Sequence, residues 1–442
     1  MINESDELIL ALKSAKKSLI KSGFIPKKKE IENLEEVNYP FSIPSKWNWE
    51  LLSNVSIIQE GPGIRKHQYK DEGIQFLTVT NILEGRVDLQ KSKKYISYEE
   101  YNSKYKHFTI DKGDIVSSCS GATWGKTAFF TSDEKLILNT STLRLRFFND
   151  LGDNSYLYYL TKSSFFKNQL SSHQTGQQPN YGYFHYSQIA IPIPSLLEQQ
   201  AIVEKLDFAF DAIEKAKANI EKNIENAKEL FQSKLNEIFS PKGEGNKKWV
   251  FKKLSDIFDV RDGTHDSPKY QESGFALVTS KNLKKGKITL DKIKFISEKD
   301  FININKRSNV SKGDILFAMI GTIGNPVVIM EEPDFAIKNV ALIKSNKENN
   351  SYFFSYYLDL EMVIKKMQDE SKGTTQRFVS LGYMRNFEVP CPKIEIQNKI
   401  VKQIDLLSEQ TNLLQEKYKQ KLANLEELKK SILEKAFKGE LI

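Results

Sequence analysis

Two segments of the chain carry apolar residues at the three- and four-residue spacing of an amphipathic helix. One runs from about Glu198 to Ile238 without Gly or Pro, and the other from about Gln397 to Phe437. Each would extend about 60 Å at 1.5 Å per residue. Their stripes predict a coiled-coil seam formed by Ile202, Leu206, Ala209, Ile213, Ala216, Ile220 and Ile224 or Ala227 in the first segment, and by Ile400, Ile404, Leu407, Leu414, Tyr418, Leu425 and Ile432 in the second.

We predict that these two helices pair with each other. A helix of this length cannot bury its whole stripe on a block of about 150 residues, whereas an equally long helix can. The alternative is two independent amphipathic helices, each lying on its own domain.

The blocks that precede the helices have a different pattern. Short apolar runs such as Ile74–Val79, Asp114–Val116 and Leu143–Phe148 are separated by Gly, Asn and Asp, as is typical of strands and turns. Pro192 and Pro194 close the first block, and Pro392 closes the second. Each block is therefore predicted to be a mixed strand-and-helix domain.

The chain repeats itself with a period of about 200 residues. The offset between matching segments drifts only from 202 to 198, which indicates an internal repeat. The matches include Trp47 with Trp249, Gly73-Ile-Gln-Phe-Leu-Thr with Gly274-Phe-Ala-Leu-Val-Thr, Lys112-Gly-Asp-Ile with Lys312-Gly-Asp-Ile, Ile191-Pro-Ile-Pro with Val389-Pro-Cys-Pro, and Gln199 with Gln397.

These observations predict an α+β protein with two pseudo-repeated domains and two long helices. The expected boundaries are 1–40 for an N-terminal helix and linker, 41–195 for the first domain, 196–248 for the first helix and a linker, 249–394 for the second domain and 395–442 for the second helix. The N-terminal helix, from Glu7 to Ser22, either docks near the end of the last helix or forms a loosely attached arm.

Charge and composition narrow the function. The net charge of +8 is concentrated in the two mixed blocks, which carry +3 and +5, and a basic surplus favours a polyanionic partner. The two cysteines, Cys119 and Cys391, lie far apart without metal-ligand spacing, so a reducing cytoplasm is expected. Neither a run of about 18 apolar residues nor a basic signal peptide is present, so export and membrane insertion are not expected.

The sequence contains no recognisable catalytic motif. Gly121-Ala-Thr-Trp-Gly-Lys-Thr has three residues between its glycines where a Walker A loop needs four, so we interpret it as a turn. Asp262, His265 and Asp266 could bind a metal, but a polar turn is the preferred interpretation. Methyltransferase, helicase and nuclease motifs are not recognisable. We predict a chain without catalytic activity, cofactor or metal.

Several motifs occur in a fixed order, duplicated and joined to two long helices. They are Ile43-Pro-Ser-Lys-Trp, Asp262-Gly-Thr-His, Lys312-Gly-Asp-Ile-Leu, Gly321-Thr-Ile-Gly, Gly373-Thr-Thr-Gln, Val389-Pro-Cys-Pro and the ending Leu428-Lys-Lys-Ser-Ile-Leu-Glu-Lys-Ala-Phe-Lys-Gly-Glu-Leu. In this order of motifs, over about residues 40 to 442, the sequence resembles the specificity subunit of type I restriction–modification enzymes.

This resemblance implies two target-recognition domains, each reading one half of a bipartite site in double-stranded DNA. The helices would form an antiparallel coiled-coil spacer, and two modification subunits and two restriction subunits would join the complex. One alternative is a coiled-coil interaction scaffold that does not bind DNA. Another is a nuclease that uses the cluster from Asp262 to Asp266.

Reading DNA requires Lys and Arg for phosphates, and Arg, Asn, Gln, Ser or Thr for base edges. Both blocks present such residues on predicted loops. In the first block the candidate contacts are Arg65, Lys66, His67, Thr80, Asn81, Gln174, Thr175, Gln177 and Gln178. In the second block they are Arg261, Thr264, His265, Lys281, Asn282, Thr374, Thr375, Gln376 and Arg377.

Overall fold

The computed structural model describes residues 3–22, 39–174, 177–240, 249–371 and 377–441. The chain divides into two compact units. The first unit contains residues 1–219 and 421–442, and the second contains residues 220–420. Both divisions fall inside the predicted long helices, so each unit consists of one mixed block and a part of each long helix.

The elements of the first unit alternate between short strands and helices. In chain order they are α1 (Glu4–Lys21), β1 (Asn48–Leu51), α2 (Leu52–Val55), β2 (Ser56–Glu60), β3 (Ile74–Phe76), β4 (Ile82–Leu83), β5 (Arg86–Val87), β6 (Tyr95–Ile96), α3 (Tyr98–Glu100), β7 (Thr109–Ile110), β8 (Ile115–Ser118), β9 (Thr127–Phe129), β10 (Leu136–Ile137), β11 (Thr142–Phe147), α4 (Asn154–Lys162), α5 (Ser164–Ser172), α6 (Tyr183–Ser187), β12 (Ala190–Ile193) and the first part of α7 (Leu196–Phe239).

The second unit contains the rest of α7 and a similar succession of elements. They are β13 (Phe251–Lys253), α8 (Leu254–Ile257), β14 (Val260–Asp262), β15 (Phe275–Thr279), β16 (Leu283–Lys284), β17 (Lys287–Ile288), β18 (Lys294–Ile296), α9 (Glu298–Ser308), β19 (Ile315–Ala318), β20 (Gly324–Val328), β21 (Phe335–Lys338), β22 (Val340–Ile343), α10 (Ser351–Leu358), α11 (Glu361–Asp369), α12 (Leu381–Asn386), β23 (Glu388–Pro390) and the first part of α13 (Ile394–Phe437).

Each unit is built on a four-stranded antiparallel sheet. Its order is β2-β11-β8-β9 in the first unit and β14-β22-β19-β20 in the second. A second sheet has the order β6-β3-β10-β7 in the first unit and β18-β15-β21 in the second, with a parallel pair at β3/β10 and at β15/β21. The prediction of a mixed helix-and-strand protein is confirmed.

The register of the antiparallel sheets identifies equivalent residues. Glu60, the last residue of β2, lies opposite Leu143 on β11. Asp262, the last residue of β14, lies opposite Ala341 on β22. Glu60 and Asp262 therefore occupy the same place in their respective sheets.

The repeated Lys-Gly-Asp-Ile motif is a turn that leads into β8 or β19. Gly113 has φ +92° and Gly313 has φ +89°, in the left-handed region that favours glycine. The following aspartates, Asp114 and Asp314, are 1% and 0% exposed. The motif therefore has a structural role, in forming this turn.

Both long helices were predicted within three residues of their observed starts, and each contains 44 residues. A buried glutamine ties each start to its own unit. The side chain of Gln199 accepts from Asp153 N at 2.9 Å and donates to Pro194 O at 3.1 Å. Gln397 accepts from Asn350 N at 2.8 Å and donates to Pro392 O at 2.8 Å.

The helices contribute to the core of each unit. In the first unit, apolar residues of α7 share one buried cluster with the end of α13, formed by Ile202, Leu206, Phe210 and Ile213 together with Leu433, Ala436 and Phe437. In the second unit, Leu235 and Phe239 share a cluster with Ile400 and Ile404. The predicted seam residue Leu414 is 41% exposed, so the stripe is not buried along its whole length.

Helix α1 packs on the first unit. Leu12 is fully buried (0% exposed) and belongs to the cluster that also contains Phe437. Ser5 Oγ donates to Ile193 O at 2.5 Å, and Lys13 forms an ion pair with Glu50. The interpretation of this segment as a loosely attached arm is therefore wrong for residues 4–21.

Candidate nucleic-acid interface

Loops from distant parts of the first block meet at one edge of the sheet β2-β11-β8-β9. Gly61 N donates to Thr142 O at 2.9 Å, and Cys119 N donates to Ser141 O at 2.8 Å. Tyr181 N then donates to Cys119 O at 2.9 Å. These bonds bring the segments that follow β2 and β8, and the one that precedes β11, next to the segment before α6.

The loop after β2 carries Arg65, Lys66 and His67, and all three are exposed. Its conformation is fixed by Gln68, whose Oε1 accepts from Arg65 N at 2.9 Å and whose Nε2 donates to Glu100 Oε1 at 2.9 Å. The three predicted side chains are therefore presented to solvent on an ordered turn.

Close backbone contact explains the glycine that begins this loop in both units. A Cβ atom at Gly61 would lie 2.1 Å from Asn139 O, and one at Gly263 would lie 2.4 Å from Ile337 O. Any larger residue would push the loop away from the sheet edge. Gly61 and Gly263 thus hold their loops against the sheet.

The segment before α6 carries the predicted glutamines. Gln174, Gln177 and Gln178 are exposed, and the nearby Pro179 O accepts from Gly121 N at 3.0 Å. Thr175 lies outside the described residues. Of the aromatic residues that follow this segment, Tyr181 is buried in the core and is 1% exposed, whereas Phe184 is 62% exposed.

The second unit brings the equivalent loops together. Thr264 N donates to Ile337 O at 3.1 Å, and Ser280 Oγ donates to Asn339 O at 3.0 Å, so the loops after β14 and β15 meet beside the end of β21. Lys281 is exposed on the second of these loops.

The segment before α12 also reaches this edge. Arg377 is exposed, and its carbonyl oxygen accepts from Gly321 N at 3.1 Å. Thr374, Thr375 and Gln376 lie outside the described residues. Arg377 is thus the described member of that predicted group, and it lies beside the glycine turn that follows β19.

Asp262 is the centre of a hydrogen-bond network. Its carboxylate is buried and accepts from His265 Nε2 at 2.8 Å and from Arg307. Nδ1 of His265 lies 2.9 Å from Asn339 Oδ1. Within the described ranges, no group of three or more His, Cys, Asp or Glu residues is arranged to hold a metal ion.

The side chain of Arg261 is directed back into the fold. Its Nε and Nη2 donate to Asp259 Oδ2 at 2.8 and 2.5 Å, and its Nη1 donates to Arg307 O at 3.2 Å. All three guanidinium nitrogens already have partners. Three of the five guanidinium N–H groups therefore support the loop, while the side chain is 38% exposed, so Arg261 stays a predicted DNA contact.

The structure does not support a base contact by Asn81 or Asn282. Asn81 is 0% exposed, and it accepts from Thr78 Oγ1 at 2.7 Å and donates to Asp88 O at 2.9 Å. Asn282 is 4% exposed and makes the equivalent bonds to Thr279 and Thr289. Both side chains point inward and stabilise a turn by hydrogen bonds within it. On the first turn, the exposed Thr80 remains as the predicted contact.

The sequence interpretation missed two cationic residues at this edge. Arg307 lies in the last turn of α9 and its side chain is 65% exposed. Lys338 ends β21 and donates to Ser267 Oγ at 2.6 Å. The offset of 200 relates Arg307 to His107. Gln59 Nε2 donates to His107 O at 3.0 Å as Arg261 does to Arg307 O. Aligning the two repeats around His107 and Arg307 could have identified the position.

Comparison with known proteins identifies the family. The sequence profile of the type I restriction modification DNA specificity domain matches the chain twice, over residues 19–226 and 246–424. The chain belongs to this family. The prediction of a type I specificity subunit is thereby confirmed, and an interaction scaffold without DNA recognition is not favoured.

Individual relatives agree with this assignment. The chain is 24% identical over 428 residues to the EcoKI specificity subunit of Escherichia coli K12, and 23% identical over 446 residues to the StySPI specificity subunit of Salmonella potsdam. Both alignments cover 90% of this chain and 90% of the relative.

Solved structures share the fold. The HsdS subunit from Thermoanaerobacter tengcongensis has a TM-score of 0.60 at 21% identity, covering 91% of this chain and 99% of that one. A chain from a study of complex assembly and conformational transition of the type I R-M system has a TM-score of 0.67 at 20% identity, covering 91% of this chain and 100% of that one. In the part of the chain that the structure describes, we find no helix long and apolar enough to span a membrane.

Proposed function

We propose that the chain reads a bipartite site in double-stranded DNA, with one half-site recognised by each unit. The observation that carries this proposal is that equivalent polar loops converge on the same sheet edge in both units. The side chains on these loops differ between the units, which is what two different half-sites would require.

The proposed contact surface differs from the sequence prediction at two residues, because the buried side chains of Asn81 and Asn282 stabilise turns. In the first unit it consists of Arg65, Lys66, His67, Thr80, Gln174, Thr175, Gln177 and Gln178. In the second unit it consists of Arg261, Thr264, His265, Lys281, Thr374, Thr375, Gln376 and Arg377.

We further propose that α7 and α13 form an antiparallel coiled coil that sets the spacing between the half-sites. Opposite charges in the first unit support the antiparallel direction, since Lys217 pairs with Glu426 and Glu214 pairs with Lys429. Later residues of α7 thus pair with earlier residues of α13, as expected for antiparallel helices. The cluster that joins Leu235 to Ile404 in the second unit follows the same trend.

The chain itself would be non-catalytic and cytoplasmic, and it would need no cofactor or metal of its own. Two modification subunits would supply methyl transfer, and two restriction subunits would supply DNA cleavage. The support for these partners is the family membership and the relatives named as specificity subunits of type I restriction enzymes.

The test is to map methylated sites made by the chain in complex with its modification subunits. Replacing both Arg65 and Lys66 with alanine should relax or weaken one half-site, and replacing both Lys281 and Arg377 should affect the other. Loss of a good base contact should cost about 1 to 3 kcal/mol of discrimination, whereas loss of a phosphate contact should weaken binding to all sequences.

Two controls accompany this experiment. The purified chain without modification subunits should transfer no methyl group from S-adenosylmethionine. The surface variant Lys228→Ala on α7 should leave both half-sites unchanged, because Lys228 is paired with Glu225 on the helix. Equal loss of discrimination at both half-sites in either double variant would contradict the assignment of one half-site to each unit.

A further inference from the structure

A buried carboxylate in the second unit holds two exposed side chains at once. Asp262 is 3% exposed, and its Oδ2 accepts from His265 Nε2 at 2.8 Å while its Oδ1 accepts from Arg307 Nη2. The side chains of His265 and Arg307 are 60% and 65% exposed. The anion thus lies below the surface, and the groups that it orients face solvent at the proposed reading edge.

The imidazole is held from both sides. Nδ1 of His265 lies 2.9 Å from Asn339 Oδ1. Asn339 is itself fixed, because its backbone N donates to Thr264 O at 3.2 Å and its carbonyl accepts from Ser280 Oγ at 3.0 Å. Ring orientation is therefore set before any ligand arrives, which lowers the entropy lost on binding.

The first unit uses the equivalent carboxylate differently. Glu60 occupies the place of Asp262 but is exposed, and its Oε2 accepts from Tyr183 N at 3.0 Å at the start of α6. Its loop has Gly63 where the second unit has His265. The network of Asp262 therefore distinguishes the second unit from the first, as a determinant of one half-site should.

Charge indicates what this network would bind. A free arginine or lysine neutralises a phosphate and releases counterions, which makes binding salt-dependent. The guanidinium of Arg307 is already compensated by Asp262, so it gains less from a phosphate. Its remaining N–H groups keep a fixed direction, and fixed arginine donors match the O6 and N7 acceptors of guanine. The arrangement favours reading a base edge.

We propose that Asp262 is a positioning residue that, steadied by His265, presents Arg307 as a preassembled donor to acceptor atoms in the major groove. Guanine is the base that best fits the guanidinium. This inference rests on the proposed function, and it adds Arg307 to the contact surface of the second unit.

The test uses the complex with modification subunits and the DNA duplex that carries its mapped methylation site. Asp262→Asn preserves the side-chain shape but removes the charge. We expect discrimination at one G·C pair of one half-site to fall about tenfold. Because Arg307 is then uncompensated, affinity for a scrambled duplex should rise, and the slope of log affinity against log salt should become steeper by up to about one.

Arg307→Lys provides a second variant, and it changes an exposed side chain and leaves the buried carboxylate of Asp262 in place. It keeps the positive charge but loses the planar fork, so it should lose discrimination at the same G·C pair without a change in salt slope. His265→Gln should affect the same half-site. Competition binding with duplexes changed at one base pair at a time measures all three variants.

Glu60→Gln is the matched control, since it makes the same chemical change at the equivalent position of the first unit. It should leave the half-site affected by Asp262→Asn unchanged. The inference is overturned if Asp262→Asn and Arg307→Lys retain discrimination at every base pair, or if they lower affinity equally for all duplexes. A wild-type complex that recognised no two-part site would instead overturn the proposed function, and the inference with it.

Discussion

The interior of the first unit contains an ion pair that the fold cannot easily lose. Asp114 accepts from Asp111 N at 2.8 Å and from Arg144 Nη1 at 3.0 Å, and the side chain of Arg144 is only 7% exposed. Burial raises the pKa of Asp114, although the Arg144 guanidinium acts in the opposite direction. Removing one partner of such a pair leaves the other charge buried without compensation.

Asp114→Ala should therefore lower the free energy of unfolding of the first unit by about 3 to 5 kcal/mol. Urea denaturation followed by tryptophan fluorescence measures this, because Trp47, Trp49 and Trp124 all belong to the first unit. Asp111→Ala is the matched control. Asp111 is 64% exposed and 3.3 Å from Arg144, so its loss should cost about 1 kcal/mol or less. Similar losses for both variants would contradict this account.

For single residues, the sequence predicted the positions of loops better than the directions of their side chains. The positions after β3 and β15 were correctly expected to be turns, yet Asn81 and Asn282 point inward and close them. A polar residue after a strand has the same pattern in either orientation. Arg307 was missed because its partner Asp262 lies 45 residues away in the sequence, and local periodicity contains no information on such contacts.

Among the elements, the long helices were the most predictable, because their periodicity extends over many turns. The surroundings of the stripe were harder to infer. At its start, α7 shares a core with Tyr156 and Leu160 of its own block as well as with Phe437 of α13. The two interpretations of the stripe, mutual pairing and packing on one domain, are thus combined in the first unit. The sequence shows which face is apolar and does not show what covers it.

The helix anchor formed by Gln199 can be tested directly. Gln199→Leu keeps the volume similar but leaves Asp153 N and Pro194 O without their partner in a place where Gln199 is 0% exposed. Each buried group left unpaired costs about 1 to 3 kcal/mol, so the unfolding midpoint in urea should fall clearly. Hydrogen exchange in the first turns of α7 should also become faster.

The adjacent Gln200 is exposed and provides a control with the same chemistry. Gln200→Leu should change stability by no more than about 0.5 kcal/mol. If Gln199→Leu behaved like Gln200→Leu in both measurements, the side-chain hydrogen bonds would not be what anchors the helix.

For the whole molecule, the division into units has a mechanical consequence. Each unit contains one block that matches the family profile, and each contains a part of both α7 and α13. The boundaries fall after Asn219 and after Gln420, away from the buried glutamines that anchor the helix starts. If the helices set the distance between half-sites, lengthening both at these boundaries should change the gap and leave the bases read unchanged.

We expect this result from inserting four residues after Asn219 together with four residues after Gln420. The helices become about 6 Å longer at 1.5 Å per residue, which corresponds to one or two base pairs at about 3.4 Å each. Mapping methylated sites should reveal the same two half-sequences with a wider gap. Insertion after Asn219 alone should lower the free energy of unfolding. The ion pair between Lys217 and Glu426 and the packing of Leu235 near Ile404 can then no longer form in the same register of the two helices. A double insertion that altered the bases read while the gap stayed fixed would show that the helices do not measure the distance.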